Sequence, residues 1–166
     1  MKGFTLIELL VVIGIMVILM AAALVAINPF RQFAMANNAS RWSGVTTIMN
    51  AVSQAIVDGK GAFKCAPAGA AVTDCPAKGD TVPLSTGSKN MADPTSDATG
   101  YDICGCIVDT FVASMPYDPQ SVTATHKYTS CADYNTGYKI SCNATNGRIT
   151  ISAPDAQLGE TISITR

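Results

Sequence analysis

The chain has 166 residues, room for one domain of ordinary size, and only 14% of them are Asp, Glu, Lys or Arg, against roughly 25% in an average soluble domain. Its 11 basic and 12 acidic side chains leave a net charge of −1, so no basic excess exists to release counterions from a phosphate backbone, and strong nucleic-acid binding is not expected. With 13 Gly, 8 Pro and 48% hydrophobic residues, the collagen-like and disordered classes are excluded.

The apolar excess sits at the N-terminus. From Phe4 to Ile27 every residue except Thr5, Glu8 and Gly14 is apolar. The uncharged stretch Leu9 to Ile27 would span about 28 Å as a helix, close to the roughly 30 Å hydrocarbon core of a bilayer. A cleaved secretory signal would use Lys2 as its basic region and Ala21-Ala22-Ala23 as its cleavage site, but such apolar cores usually run about 7–15 residues. A plain single-pass anchor is the other simple reading. Glu8 weighs against it, because an ionisable group inside an apolar run is costly in lipid and implies a function and a partner.

The string Gly3-Phe4-Thr5-Leu6-Ile7-Glu8-Leu9-Leu10-Val11-Val12 resembles the N-terminus of bacterial type IV pilins and of the pseudopilins of type II secretion. The resemblance implies a precursor in the inner membrane with residues 1–3 as a cytoplasmic leader, in keeping with Lys2 and the positive-inside tendency. It further implies a membrane aspartyl protease, the prepilin peptidase, that cuts between Gly3 and Phe4 and methylates the new amine of Phe4. Glu8 would then pair with the Phe4 amine of a neighbouring subunit, with Thr5 in the same assembly segment. A stranded ammonium and a stranded carboxylate are each expensive in an apolar filament core, and pairing offsets much of that cost.

Beyond the apolar run, Pro29 should bend or break the helix near Val25 to Asn28. Trp42, Val45, Ile48, Met49, Val52 and Ile56 recur at helical spacing on one stripe, and Asp58-Gly59-Lys60-Gly61 supplies a stop. Residues 61–100 read as loop-rich, and Ile103 to Met115 is ambiguous between a short helix and a strand. Strands are expected at Thr125–Ser130, Gly137–Cys142, Arg148–Ala153 and Thr161–Thr165, with Asn146-Gly147 as a hairpin turn. Met115-Pro116-Tyr117-Asp118-Pro119 and Thr136-Gly137-Tyr138 resemble segments common in small pilins and pseudopilins. The five tyrosines read as sheet packing.

Cys65, Cys75, Cys104, Cys106, Cys131 and Cys142 all follow the anchor, on the side expected to leave the cytoplasm, where an even count favours disulfides. Six cysteines allow about 15 connectivities. A bridge from Cys131 to Cys142 across neighbouring strands and one from Cys65 to Cys75 are reasonable, leaving Cys104 and Cys106, facing the same way on a strand, to reach elsewhere. Cys104-Gly105-Cys106 lacks zinc-knuckle spacing and the only histidine, His126, is not placed as a ligand or catalytic partner. Asp93, Asp97 and Asp102 could hold calcium, although loop aspartates more often cap turns. Asn38-Ala39-Ser40 and Asn143-Ala144-Thr145 match the N-glycosylation pattern, but capping and turn roles fit them better.

The expectation is therefore an α+β, pilin-like protein: a long N-terminal transmembrane helix packed on a small antiparallel β-sheet head. Its parts would be a leader (1–3), a membrane and filament-core helix (4–28), a second helical half on the head (29–60) and a loop-rich, disulfide-braced head (61–166). The expected role is non-enzymatic, without metal or cofactor: a homo-oligomeric pilus subunit delivered by pilus assembly machinery from the inner membrane to the cell surface, where adhesion, motility and DNA capture are open roles. The alternatives are a type II secretion pseudopilin and a membrane-anchored thiol or redox domain.

Overall fold

The structure is a computed structural model that describes residues 3–60, 63–65, 73–75, 87–93, 95–97, 100–120, 126–143 and 146–166. The chain divides into two compact units, Met1–Ala36 and Asn37–Arg166.

The first unit is helical. Helix α1 (Leu6–Ile27) has no buried residue and is long and apolar enough to cross a membrane. It ends at Asn28, whose φ of 47° and ψ of 80° place it in the left-handed region, and helix α2 (Pro29–Asp58) begins at the next residue. Asn28 also caps α2: its backbone oxygen and Oδ1 accept from the Arg31 N–H at 3.1 and 3.4 Å. Pro29 occupies the first helical position, where its missing N–H costs nothing.

The second unit contains the rest of α2, which stops at Asp58 with Lys60 at a φ of 58°. A hairpin pairs β1 (Phe63–Cys65) with β2 (Thr73–Cys75). The main antiparallel sheet runs β3 (Lys89–Ala92), β5 (Asp133–Cys142), β6 (Ile149–Ala153), β7 (Ile162–Thr165), with β4 (Lys127–Ser130) also paired to β5. In the chain, the single-turn helix α3 (Cys104–Ile107) lies between β3 and β4. Alternation along β5 and β6 turns Tyr134, Tyr138, Ile140, Cys142, Ile149, Ile151 and Ala153 inward, where they share one core with Val45, Ile48, Met49 and Val52 of α2. Each buried Val, Ile or Met among them contributes roughly 1.5–3 kcal/mol by leaving water. Gly44 allows a close approach in this packing, since a Cβ there would lie 2.6 Å from the Tyr138 hydroxyl.

Within the loop-rich stretch 61–100 lie the short strands β1, β2 and β3, and Met91 and Ala92 of β3 are fully buried. Two expectations need correction. Cys104 and Cys106 do not share a strand; they begin and continue α3, because the Tyr134 hydroxyl accepts from the N–H groups of Ile103 and Cys104 and holds the start of a helical turn. Finally, Cys131 is not bridged to Cys142 but to Cys104, with Cα atoms 5.3 Å apart. Residues 133–142 form one continuous strand rather than a turn and a strand. Cys131 and Cys142 stand at opposite ends of it, about 30 Å apart at strand rise, far beyond bridging distance.

Candidate processing and assembly segment

Gly3, Phe4, Thr5 and Glu8 lie together at the start of α1. Thr5 is the N-cap, with extended φ and ψ of −82° and 150°. Its hydroxyl accepts from the Glu8 N–H at 3.3 Å. In return Glu8 Oε2 accepts from the Thr5 backbone N–H at 2.9 Å and from the Thr5 hydroxyl at 2.8 Å. This reciprocal capping box satisfies two otherwise orphaned donors, and a carboxylate in the first turn suits the positive end of the helix dipole. All of these bonds use Oε2, and Oε1 accepts no hydrogen bond among the described residues.

Phe4 is 88% exposed. A Cβ added at Gly3 or at Gly14 would meet nothing within 4 Å, and neither residue has a positive φ. Among the described residues nothing requires glycine at either position.

The head is locked by buried polar groups that the hydrophobic pattern did not reveal. Arg41 is 1% exposed and meets the equally buried Asp118 in a two-pronged ion pair, Nε to Oδ2 at 2.6 Å and Nη2 to Oδ1 at 2.9 Å. Nη1 donates to Asn38 Oδ1 at 3.0 Å, and Asn38 in turn donates to the Gln157 carbonyl and to Glu160 Oε2 at 2.8 and 2.7 Å. Burial pushes the Tyr138 hydroxyl above its ordinary range, with the Asp118 carboxylate adding to the effect and Arg41 opposing it. Arg41 falls on the same helical stripe as Val45, Ile48 and Val52, and that spacing was the available signal.

The Tyr134 hydroxyl donates to Asp102 Oδ1 at 2.7 Å. Burial raises its pKa, and the Asp102 carboxylate raises it further. Asp93 is buried, which alone would raise its carboxyl. Hydrogen bonds from the Ser96 side chain and from the N–H groups of Tyr134, Ser96 and Thr95 outweigh this and hold it far below the usual range. Asp97 accepts from Asn90. The three candidate calcium aspartates thus serve turn and strand donors, and among the described residues no group of three or more metal-ligating side chains occurs.

Cys106 and Cys142 are also disulfide-bonded, whereas the side chains of Cys65 and Cys75 lie outside the described residues. The His126 ring covers Gly137, whose φ is 73° and whose Cβ, if present, would collide with it. Asn38 is 3% exposed and donates through its Nδ2, so a glycan there would require dismantling the network; Ala144 and Thr145 of the second candidate sequon lie outside the described residues.

No curated protein and no solved structure matches the chain. Residues 1–24 match the model of the prokaryotic N-terminal methylation motif. The chain therefore opens with the class III signal of type IV pilins and pseudopilins, followed by an exposed apolar helix and a five-stranded antiparallel sheet in a pilin-like α+β fold.

Proposed function

We propose that this chain is a pilin, a structural subunit that is cut between Gly3 and Phe4, methylated at the Phe4 amine and polymerised through α1 into a surface fibre. The observation that carries this reading is the first turn of α1: a carboxylate fixed by its own capping box at the head of a 22-residue apolar helix with no buried residue. In lipid, the Thr5 donors partly satisfy Glu8, which lowers the cost of storing the subunit. Oε1 stays available for an incoming ammonium. During assembly the helix exchanges lipid for other helices, with Gly14 and Ala21 to Ala23 permitting close approach, and the Phe4 amine of a neighbour pairs with Glu8 and sets the register. N-methylation keeps that amine cationic, so the pairing survives it.

The motif implies processing by a peptidase and handling by assembly machinery in general, and the exposed apolar helix suits membrane anchoring. Cys104, Cys106, Cys131 and Cys142 are all in disulfides, which suits a braced extracellular head and leaves none of these four as the nucleophile of a thiol enzyme.

The test compares wild type with Glu8→Val. The variant should insert in the membrane and be processed normally, yet yield at least roughly tenfold fewer fibres, since loss of one partner strands the other charge in an apolar core at a cost of several kcal/mol. Unchanged fibre yield refutes the pairing role. Long fibres on wild-type cells support the pilin reading; their absence, with secretion of other proteins lost on deletion, supports a pseudopilin.

A further inference from the structure

We propose that the turn Gln157–Glu160 is a docking knob for a second copy of this chain, received against residues Phe30–Phe33 of that copy; this deepens the filament reading and rests on it.

The turn carries a contradiction that folding alone does not explain. Leu158 has a φ of 60° and Gly159 a φ of 71°, closed by a bond from the Glu160 N–H to the Gln157 carbonyl at 3.2 Å. Glycine or asparagine suits such a position, whereas leucine is strained there. The Leu158 side chain is nevertheless 57% exposed, so burial in its own fold offsets only part of that strain. The turn is also rigid. Asn38 clasps Gln157 in both directions, at 2.8 and 2.9 Å, and Asn38 and the Trp42 indole N–H hold the two oxygens of Glu160 at 2.7 and 2.9 Å. Strain kept by an over-determined frame marks functional sites, and a rigid apolar tip beside a half-exposed tryptophan, ringed by amides, has the make-up of a binding hot spot.

Charge identifies the occupant. The Glu160 carboxylate is held by two neutral donors, and no cation pairs with it among the described residues. The chain itself supplies a complement: Phe30 and Phe33, 84% and 68% exposed, share a face of α2, and the exposed Arg31 beside Phe30 has no side-chain partner among the described residues. An apolar pair with a cation at its margin matches an apolar knob with an anion at its margin. Two different surfaces meeting in this way form a heterologous contact, which does not close as a two-fold dimer and can propagate head to tail into an open fibre where the rotation does not close a ring.

The experiment places a photo-reactive phenylalanine analogue at Leu158 in fibres grown from mixed isotopically light and heavy chains. Cross-links joining light to heavy chains at residues 29–35 are expected. Intrachain cross-links alone, or interchain ones confined to other segments, overturn the proposal. In parallel, Leu158→Gly relieves the strain and should leave the precursor as stable as wild type or more so, while lowering fibre yield at least fivefold. Arg31→Glu should lower yield similarly, and Arg31→Lys should retain it. Wild-type yield from both Leu158→Gly and Arg31→Glu overturns the proposal, whereas a wild type that makes no fibre at all defeats the filament reading instead.

Discussion

Breaking the Arg41–Asp118 pair probes what holds α2 to the rest of the head. Asp118→Asn removes the negative charge but preserves the shape, leaving a guanidinium 1% exposed facing an amide that also has to serve the Gln120 N–H, which donates to Oδ1 at 2.9 Å. Loss of one member of a buried pair typically costs about 3–5 kcal/mol, mostly because the survivor is stranded out of water. For a unit the size of residues 37–166 this lowers Tm by roughly 10–20 °C. Trp42 is the single tryptophan of the chain and donates to Glu160 at the edge of the same network, so its fluorescence on heating the detergent-solubilised protein reports the transition. Arg41→Met combined with Asp118→Leu should cost less than either single change, since no charge is then stranded. Single variants within about 1 kcal/mol of wild type would refute the role given to the pair.

Gly44→Ala should destabilise by about 1–3 kcal/mol in chemical denaturation, although alanine is the better helix former, because its Cβ would lie 2.6 Å from the Tyr138 hydroxyl and 3.0 Å from the ring and must displace that side chain; a stabilised variant contradicts the packing. The Asp93 carboxyl keeps a folded pKa below the unfolded value of about 3.9, so between the two the unfolded chain binds more protons. Its contribution is complete above roughly pH 5 and declines as pH falls through 4 and below. Unfolding free energies from pH 5 to 2.5 should therefore fall more steeply for wild type than for Asp93→Asn, and parallel slopes would count against the hydrogen-bonded carboxylate. Replacing both Cys104 and Cys131 by serine opens a link spanning 27 residues, worth about 3.5 kcal/mol in the chain-entropy description; a change below about 1 kcal/mol in reversible unfolding contradicts that brace. Gly3→Phe should accumulate uncut precursor, seen as an intact leader by mass spectrometry, while the fold itself is untouched.

The architecture was legible where one physical signal dominated. The apolar run with Glu8 near its start, the stop after Asp58, and the alternation of Arg148 to Ala153 each carry a periodicity or composition that few other structures satisfy. What stayed hidden depends on long-range pairing. The Arg41–Asp118 pair has no sequence signature, because its two members stand 77 residues apart. The Cys104–Cys131 bridge is one choice among many connectivities, and spacing alone favoured a neighbour that a ten-residue strand carries out of reach. β3 gains its stability from pairing with β5 rather than from its own four residues, so its sequence held little to distinguish it from the Ser- and Thr-rich loop before it. Leu158 has no signature in the sequence, because an exposed leucine in a polar turn is ordinary until its positive φ is known.

The most direct test of the central claim is the mass of the N-terminal peptide from filament material sheared off wild-type cells. A peptide beginning at N-methylated Phe4 and containing Glu8 is the expected result. A chain beginning after Ala23, released as a free monomer, would contradict it, because the helix proposed to form the filament core and the carboxylate that sets its register would both have been discarded.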